Sequence, residues 1–250
     1  MSKRDDVSKL YRLSGFFSKT STGLFFLNTA TAVIALCCPG YIDGILVEVQ
    51  VFFALAYVLI SVIDDSFFWF NAEAGRRKNC IEDAFSIELS ENKTEGYYNN
   101  TVAPSVLRYA LDNYESAYCS YSTSRKMLPK AIIKTVVAMI IFLISWRAIK
   151  NGDAILLVSQ TLFSSVFVLD TIMLGFYVFR VGKICDCFYT LLISDGGSIT
   201  AARETLLLSY SVEYEAIKAF YKIRLDEKIF FKDRHDLSKR WDELIKKIVV

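Results

Sequence analysis

Histidine is almost missing from this 250-residue chain, in which His235 stands alone. That scarcity excludes multi-histidine metal sites and argues against histidine-based acid–base catalysis. Proline (3) and glycine (11) are few and apolar residues make up 53%, which excludes collagen-like and disordered classes. No charge sign dominates: 29 Lys+Arg against 27 Asp+Glu leave a net charge of +2. No global basic field therefore points to nucleic acid. The chain also lacks a P-loop, a nucleophile elbow, an HExxH motif and paired catalytic carboxylates. Its six cysteines show no metal-ligand spacing. The expectation is a non-enzymatic protein without metal or cofactor.

What the chain does have is a mean hydropathy of +0.33 beside 22% charged residues. Such a mixture implies apolar blocks set beside polar ones, and four apolar blocks are present. Residues 20–42 carry no charge, and neither do residues 49–63, whose apolar character resumes after Asp64-Asp65. Residues 131–146 carry only Lys134, and residues 154–179 only Asp170. A bilayer core needs about 20 mostly apolar residues per helix. The first and fourth blocks meet that length, and the second and third meet it with tilt or snorkelling ends. The competing reading of each block is a buried core helix. A cleaved signal peptide does not fit the first block, which starts late and ends in Cys37-Cys38-Pro39-Gly40.

The fold class expected is an all-α integral membrane protein with four transmembrane helices in two hairpins. Its orientation follows from Lys and Arg. These cluster at Lys3, Arg4, Lys9, Arg12 and Lys19, at Arg76, Arg77 and Lys78, at Arg125, Lys126 and Lys130, and at Arg180 and Lys183. The connectors 38–48 and 147–153 are poor in base, so the positive-inside rule puts both termini and the central segment in the cytosol. The division is a basic N-terminal tail (1–19), a hairpin (20–70), a helical cytosolic insert (71–130), a second hairpin (131–180) and a helical cytosolic tail (181–250).

In the insert, 72–89 reads as a helix continuing the second block, 90–100 as a polar turn, and 106–121 as a helix. Leu107, Leu111, Tyr114 and Tyr118 line one face of that last helix. Pro129 fits the first turn of the third membrane helix. In the tail, 199–224 reads as a helix with Leu206, Leu207, Tyr210, Tyr214, Ile217 and Tyr221 on its apolar side. A last helix over 237–250 carries Leu237, Trp241, Leu244, Ile245 and Ile248. Tyr57, Trp69, Trp146 and Tyr177 are interface candidates.

Asp64, Asp65 and Asp170 are the candidate pore-lining residues. A carboxylate at membrane depth costs roughly 2.5–3.5 kcal/mol on insertion scales, so a polar interior shared by packed helices would account for them. The competing reading is that water reaches them from a nearby interface, Asp64 and Asp65 sitting near the boundary and Asp170 deeper. Arg76-Arg77-Lys78 suit anionic headgroups, an acidic partner or topology anchoring alone. Cys185 and Cys187 suit either lipidation or apolar packing.

The insert also carries a recognisable pattern: Ala72-Glu73-Ala74-Gly75-Arg76-Arg77, Ile81-Glu82-Asp83-Ala84-Phe85, Glu95-Gly96-Tyr97-Tyr98-Asn99-Asn100 and Leu111-Asp112-Asn113-Tyr114-Glu115-Ser116. This resembles small bacterial membrane effectors of anti-phage defence, and is most similar to retron-associated transmembrane effectors. The pattern spans residues 72–116, and the tail adds little to it. The resemblance implies a toxin-like protein of the bacterial inner membrane. A reverse transcriptase with its RNA-linked single-stranded DNA would hold it silent. Phage infection would then release it to permeabilise the membrane, killing the infected cell. It also makes Arg76, Arg77, Asp83, Tyr97, Tyr98, Asn99, Asn100 and Glu115 candidates for partner or signal sensing. A packed helix–turn–helix explains the same residues without a partner. The partners expected are membrane lipid and further copies of the chain, since two hairpins are too few to enclose a wide channel. A small ion channel or transporter, and a membrane anchor for a soluble complex, are the alternatives.

Overall fold

The computed structural model describes residues 6–37, 43–89, 100, 102–148, 166–194 and 200–248, and these are all-helical, without a strand. Helix α1 spans Asp6–Cys37 and α2 spans Asp43–Ile63. A π-helical turn, Asp64–Trp69, joins α2 to α3 (Phe70–Phe85). Helix α4 spans Val106–Ala148, α5 Val166–Tyr189, α6 Ala201–Tyr221 and α7 Glu227–Ile248, with a second π turn, Thr190–Ser194, after α5. One helix among the described residues, Glu48–Phe85, is long and apolar enough to cross a membrane. Parts of the first and fourth apolar blocks, residues 38–42 and 154–165, lie outside the described residues.

The chain divides into two compact units. The hairpin unit holds Asp6–Ala72 and Lys130–Ile172, and the core unit holds Glu73–Pro129 and Met173–Val250. In the hairpin unit α1 and α2 run antiparallel. Ser21 meets Ser61, Phe25 meets Tyr57 and Phe17 meets Phe68. The exposed side chains are apolar: Phe52 is 66% exposed, Leu55 60% and Leu59 61%, with Phe26 and Val58 alike. The buried ones among the described residues are Ser14, Ser21, Gln50 and Asp64, with Trp69 and Ala72 beside them. This is the reverse of a water-soluble helix pair, whose apolar stripe faces inward.

The core unit follows the ordinary rule. Tyr114, Ala117, Val181, Phe188, Leu207, Tyr214, Ile217 and Trp241 form one buried apolar cluster. Tyr114 stacks on Phe188 at 5.3 Å and meets Trp241 edge-on at 5.2 Å, pairings that add to simple area burial. Thr200 caps α6 by accepting from Arg203 N, and Lys222, in the left-handed region at φ 49°, ends it.

Several expectations need correction. Pro129 lies inside the 43-residue α4 rather than at a helix start. An interior proline costs about 3 kcal/mol; α4 nonetheless stays helical on both sides, anchored by buried Ala110, Leu111, Tyr114 and Ala117. Tyr177 is not an interface residue but sits in the core, 1% exposed. Trp69 is likewise buried, edge-on to Tyr11 at 5.8 Å. Leu206, expected on the apolar side of α6, is 45% exposed. The basic Lys9, Arg12 and Lys19 lie on α1 itself, which begins at Asp6.

Candidate functional site

Two polar constellations stand out, one in each unit. In the hairpin unit α1 carries Ser14, Ser21 and Asn28 at intervals of seven, which keeps them on one face of the helix. Across from them α2 and its π turn carry Gln50, Tyr57, Ser61 and Asp64. Ser21 Oγ and Ser61 Oγ are 2.9 Å apart, and Ser61 also hydrogen-bonds the Tyr57 hydroxyl. Of the three candidate pore-lining acids, Asp65 is half-buried. Asp64 is buried instead, at 2% exposure, while Asp170 itself is exposed. Thr135 and Thr171 hydroxyls also pair, at 2.8 Å. The π turn shifts the helical register within one turn, which changes the face that follows it. Asp64 and Trp69 at its two ends are both buried.

In the core unit four charges are buried together. Arg76 donates through Nε to Glu73 Oε2 at 2.9 Å and through Nη2 to Glu215 Oε2. Lys218 Nζ reaches Glu73 Oε1 at 3.2 Å. Glu73 and Arg76 are on α3, Glu215 and Lys218 on α6, so two acids and two bases neutralise one another between those helices. Burial is the chief force lowering the Lys218 ammonium from its usual range, the Arg76 charge adds to it, and the two glutamates oppose it. Beside the network the Tyr214 hydroxyl lies 3.0 Å from both Ser116 Oγ and Ser120 Oγ of α4. Burial raises the Tyr214 phenol well above its ordinary value. Helix α6 is thus tied by polar contacts to both α3 and α4.

A further cluster surrounds the start of α4. Arg108 Nη2 pairs with Asp83 Oδ2 at 3.0 Å. Asn100 Nδ2 donates to Asp112 Oδ1 at 3.0 Å, and Asn100 Oδ1 accepts from Val102 N. Burial pushes the Asp112 carboxyl up to about 7, with Asp83 and Glu115 adding repulsion and the Asn100 bond and Arg108 opposing it. Burial also pushes Glu115 up to about 7, helped by Asp242.

Of the eight sensing candidates, Arg76 is buried in the ion network and Asp83 and Asn100 are tied into the α4 cluster. Arg77 and Glu115 are half-buried. Tyr97, Tyr98 and Asn99 lie outside the described residues. Arg76, 4% exposed, is not available to lipid headgroups. Cys185 is buried in the core cluster and Cys187 half-buried, both as free thiols. Among the described residues no group of three or more His, Cys, Asp or Glu side chains could hold a metal. No family model, curated protein or solved structure matches the chain.

The residues missed by sequence reasoning are Glu73, Glu215 and Lys218: Glu73 has Arg76 one turn away, but the pairs that close the network, Arg76–Glu215 and Lys218–Glu73, join distant parts of the chain. Ser14, Ser21 and Asn28 were also missed, although their seven-residue spacing is visible in the sequence.

Proposed function

We propose that the chain is the membrane effector of a bacterial anti-phage defence system, held silent by a partner complex and released on infection to permeabilise the inner membrane. In this reading all four apolar blocks cross the bilayer in two hairpins, with both termini cytosolic. Several copies assemble, with Asp64, Asp65 and Asp170 on the polar side of the helices. The observation that carries the membrane part is the hairpin unit's inverted pattern, with Phe52, Leu55 and Leu59 outside and Ser21, Gln50 and Asp64 inside. Lipid solvates such an exterior and leaves the polar groups to pair with one another.

The defence role rests on the resemblance of residues 72–116 to retron-associated effectors. A reverse transcriptase with its RNA-linked single-stranded DNA is the partner it implies. The core unit supplies a means of coupling, because α3 continues the helix Glu48–Phe85 and is clamped by α6 through the ion network. Partner loss would then shift the unit between two packings.

The test is to express the full chain in bacteria, alone and with a candidate partner locus, and to follow growth and membrane fractionation. The effector reading expects membrane-inserted protein, growth arrest alone and rescue by the partner. Inserted protein that never arrests growth would favour the anchor reading. Arrest that no partner relieves would favour an unregulated channel.

A further inference from the structure

The polar side chains inside the hairpin form a series. Gln50, Tyr57, Ser61 and Asp64 follow one another along α2 and its π turn, and Ser14, Ser21 and Asn28 along α1. From Gln50 to Asp64 the series covers roughly 21 Å of helix axis, against a hydrocarbon core of about 30 Å. Because Phe25 packs on Tyr57 and Ser21 on Ser61, the antiparallel register puts Asn28 opposite the gap between Gln50 and Tyr57. Asn28 Oδ1 is buried and has no hydrogen-bond partner among the described residues. Three consecutive links already touch, since Ser21 Oγ lies 2.9 Å from Ser61 Oγ and Ser61 bonds the Tyr57 hydroxyl.

Each hydroxyl carries one proton and two lone pairs, so it can give to one neighbour while accepting from another. The seam is ill-suited to a metal cation. Replacing a hydration shell takes six or more converging oxygens for calcium, or rings of carbonyls in potassium filters. Here the oxygens are strung out singly, and Ser14, Ser21, Gln50 and Asp64 are all under a tenth exposed. Chains of polar groups with an acidic member are the arrangement by which membrane proteins relay protons.

Resting on the membrane-permeabilising reading above, we propose that the α1–α2 hairpin carries a proton path. Asp64 is its acidic end, Ser61, Ser21 and Tyr57 are its relay, and the Asn28 and Gln50 amides hold water in the remaining interval. A proton arriving at one oxygen releases that oxygen's own proton to the next. The number of protons on the chain is conserved and nothing is oxidised or reduced. The acidic end supplies a resting acceptor. Permeabilisation would then begin as dissipation of the proton gradient, ahead of any loss of solutes.

The test uses the purified full chain in phosphatidylethanolamine–phosphatidylglycerol vesicles, with a trapped pH-sensitive dye, valinomycin and a potassium gradient. Insertion is checked by resistance to alkaline extraction. The wild type should let protons follow the potassium diffusion potential and so shift the trapped pH, while retaining trapped carboxyfluorescein. The double variant Ser21→Ala, Ser61→Ala should lower proton flux to that of protein-free vesicles, and Ser61→Thr, which keeps a hydroxyl, should restore flux lost in Ser61→Ala. Leu59→Ala, on the lipid-facing side, serves as the control for altered packing, and Gln50→Leu interrupts the series at its other end should the serine variants fail to insert. Unchanged proton flux in inserted Ser21→Ala, Ser61→Ala would overturn the path while leaving permeabilisation standing. Equal passage of protons and carboxyfluorescein in every variant would do the same, and would indicate gross rupture. Inserted wild-type protein that passes neither would overturn the permeabilising reading itself, and the path with it.

Discussion

Arg76 and Glu215 stand 139 residues apart in the chain and meet as a buried ion pair, Nη2 to Oε2. The pair joins the helix that continues the apolar span to a helix of the C-terminal segment. Burial makes the arrangement all-or-none. Charges withdrawn from water are tolerable only while each keeps its partner, so the helices are held in one register or the network is lost.

Glu215→Gln should therefore destabilise the core unit, because Arg76 and Lys218 are left to share the single acid Glu73; the cost should be at most the about 3–5 kcal/mol of a buried pair broken outright. The loss is to be measured by chemical denaturation in detergent. A double-mutant cycle with Arg76→Met should show strong coupling, because removing both members leaves no charge unpaired between them. If the coupling energy were near zero, the pair would be a bystander. In cells, Glu215→Gln should also weaken suppression by the partner, since the clamp on α3 is loosened.

Acidity should stabilise the core unit. Asp112 and Glu115 are both pushed up to about 7 by burial, whereas unfolded carboxyls titrate near 4. Between those values the folded state binds more protons than the unfolded one, so stability falls as pH rises and levels off above about 7. Trp241, packed against Tyr114 and Tyr118 in the core, can report the transition in a Trp69→Phe, Trp146→Phe background. Asp112→Asn should flatten the slope. A midpoint that instead rises with pH would contradict the assignment.

Two glycines on α5 should respond oppositely. A Cβ at Gly182 would lie 2.9 Å from Tyr121 Cε2, whereas nothing lies within 4 Å of one at Gly175. Gly175→Ala should raise stability by about 0.8–1 kcal/mol through helix propensity. Gly182→Leu forces a large side chain against the Tyr121 ring and should cost about 1–3 kcal/mol. Thermal melts of the two variants decide the matter.

Much of the helical plan was legible because periodicity is local. The spacing of Leu207, Tyr214 and Ile217, and of Leu237 and Trp241, marks two helices whose named residues are buried. The continuation of the second apolar block into a polar helix was equally legible. What the sequence hid was partnership at a distance. Arg76 reads as a surface anchor because its neighbours are Arg77 and Lys78, and only Glu215 and Glu73 reveal it as a core residue. Tyr177 reads as an interface aromatic because apolar residues surround it in the chain, whereas Tyr221 and the core cluster surround it in space. Pro129 marks a helix start by propensity, and packing on its N-terminal side overrides that preference.

A charge on the exterior of the hairpin unit should be poorly tolerated. Leu55 is 60% exposed, and Leu55→Arg should oppose insertion by roughly 2.5–3.5 kcal/mol on translocon scales. The expected result is a shift of the chain out of the membrane fraction. Normal fractionation of Leu55→Arg would mean that this face does not meet lipid.

The most direct test of the account is membrane potential, followed with a voltage-sensitive dye after inducing the full chain alone and then beside a candidate partner locus. The account predicts rapid depolarisation with the chain alone, suppression by the partner, and renewed depolarisation on phage infection. Fully inserted protein that leaves the potential intact both before and after infection would contradict it.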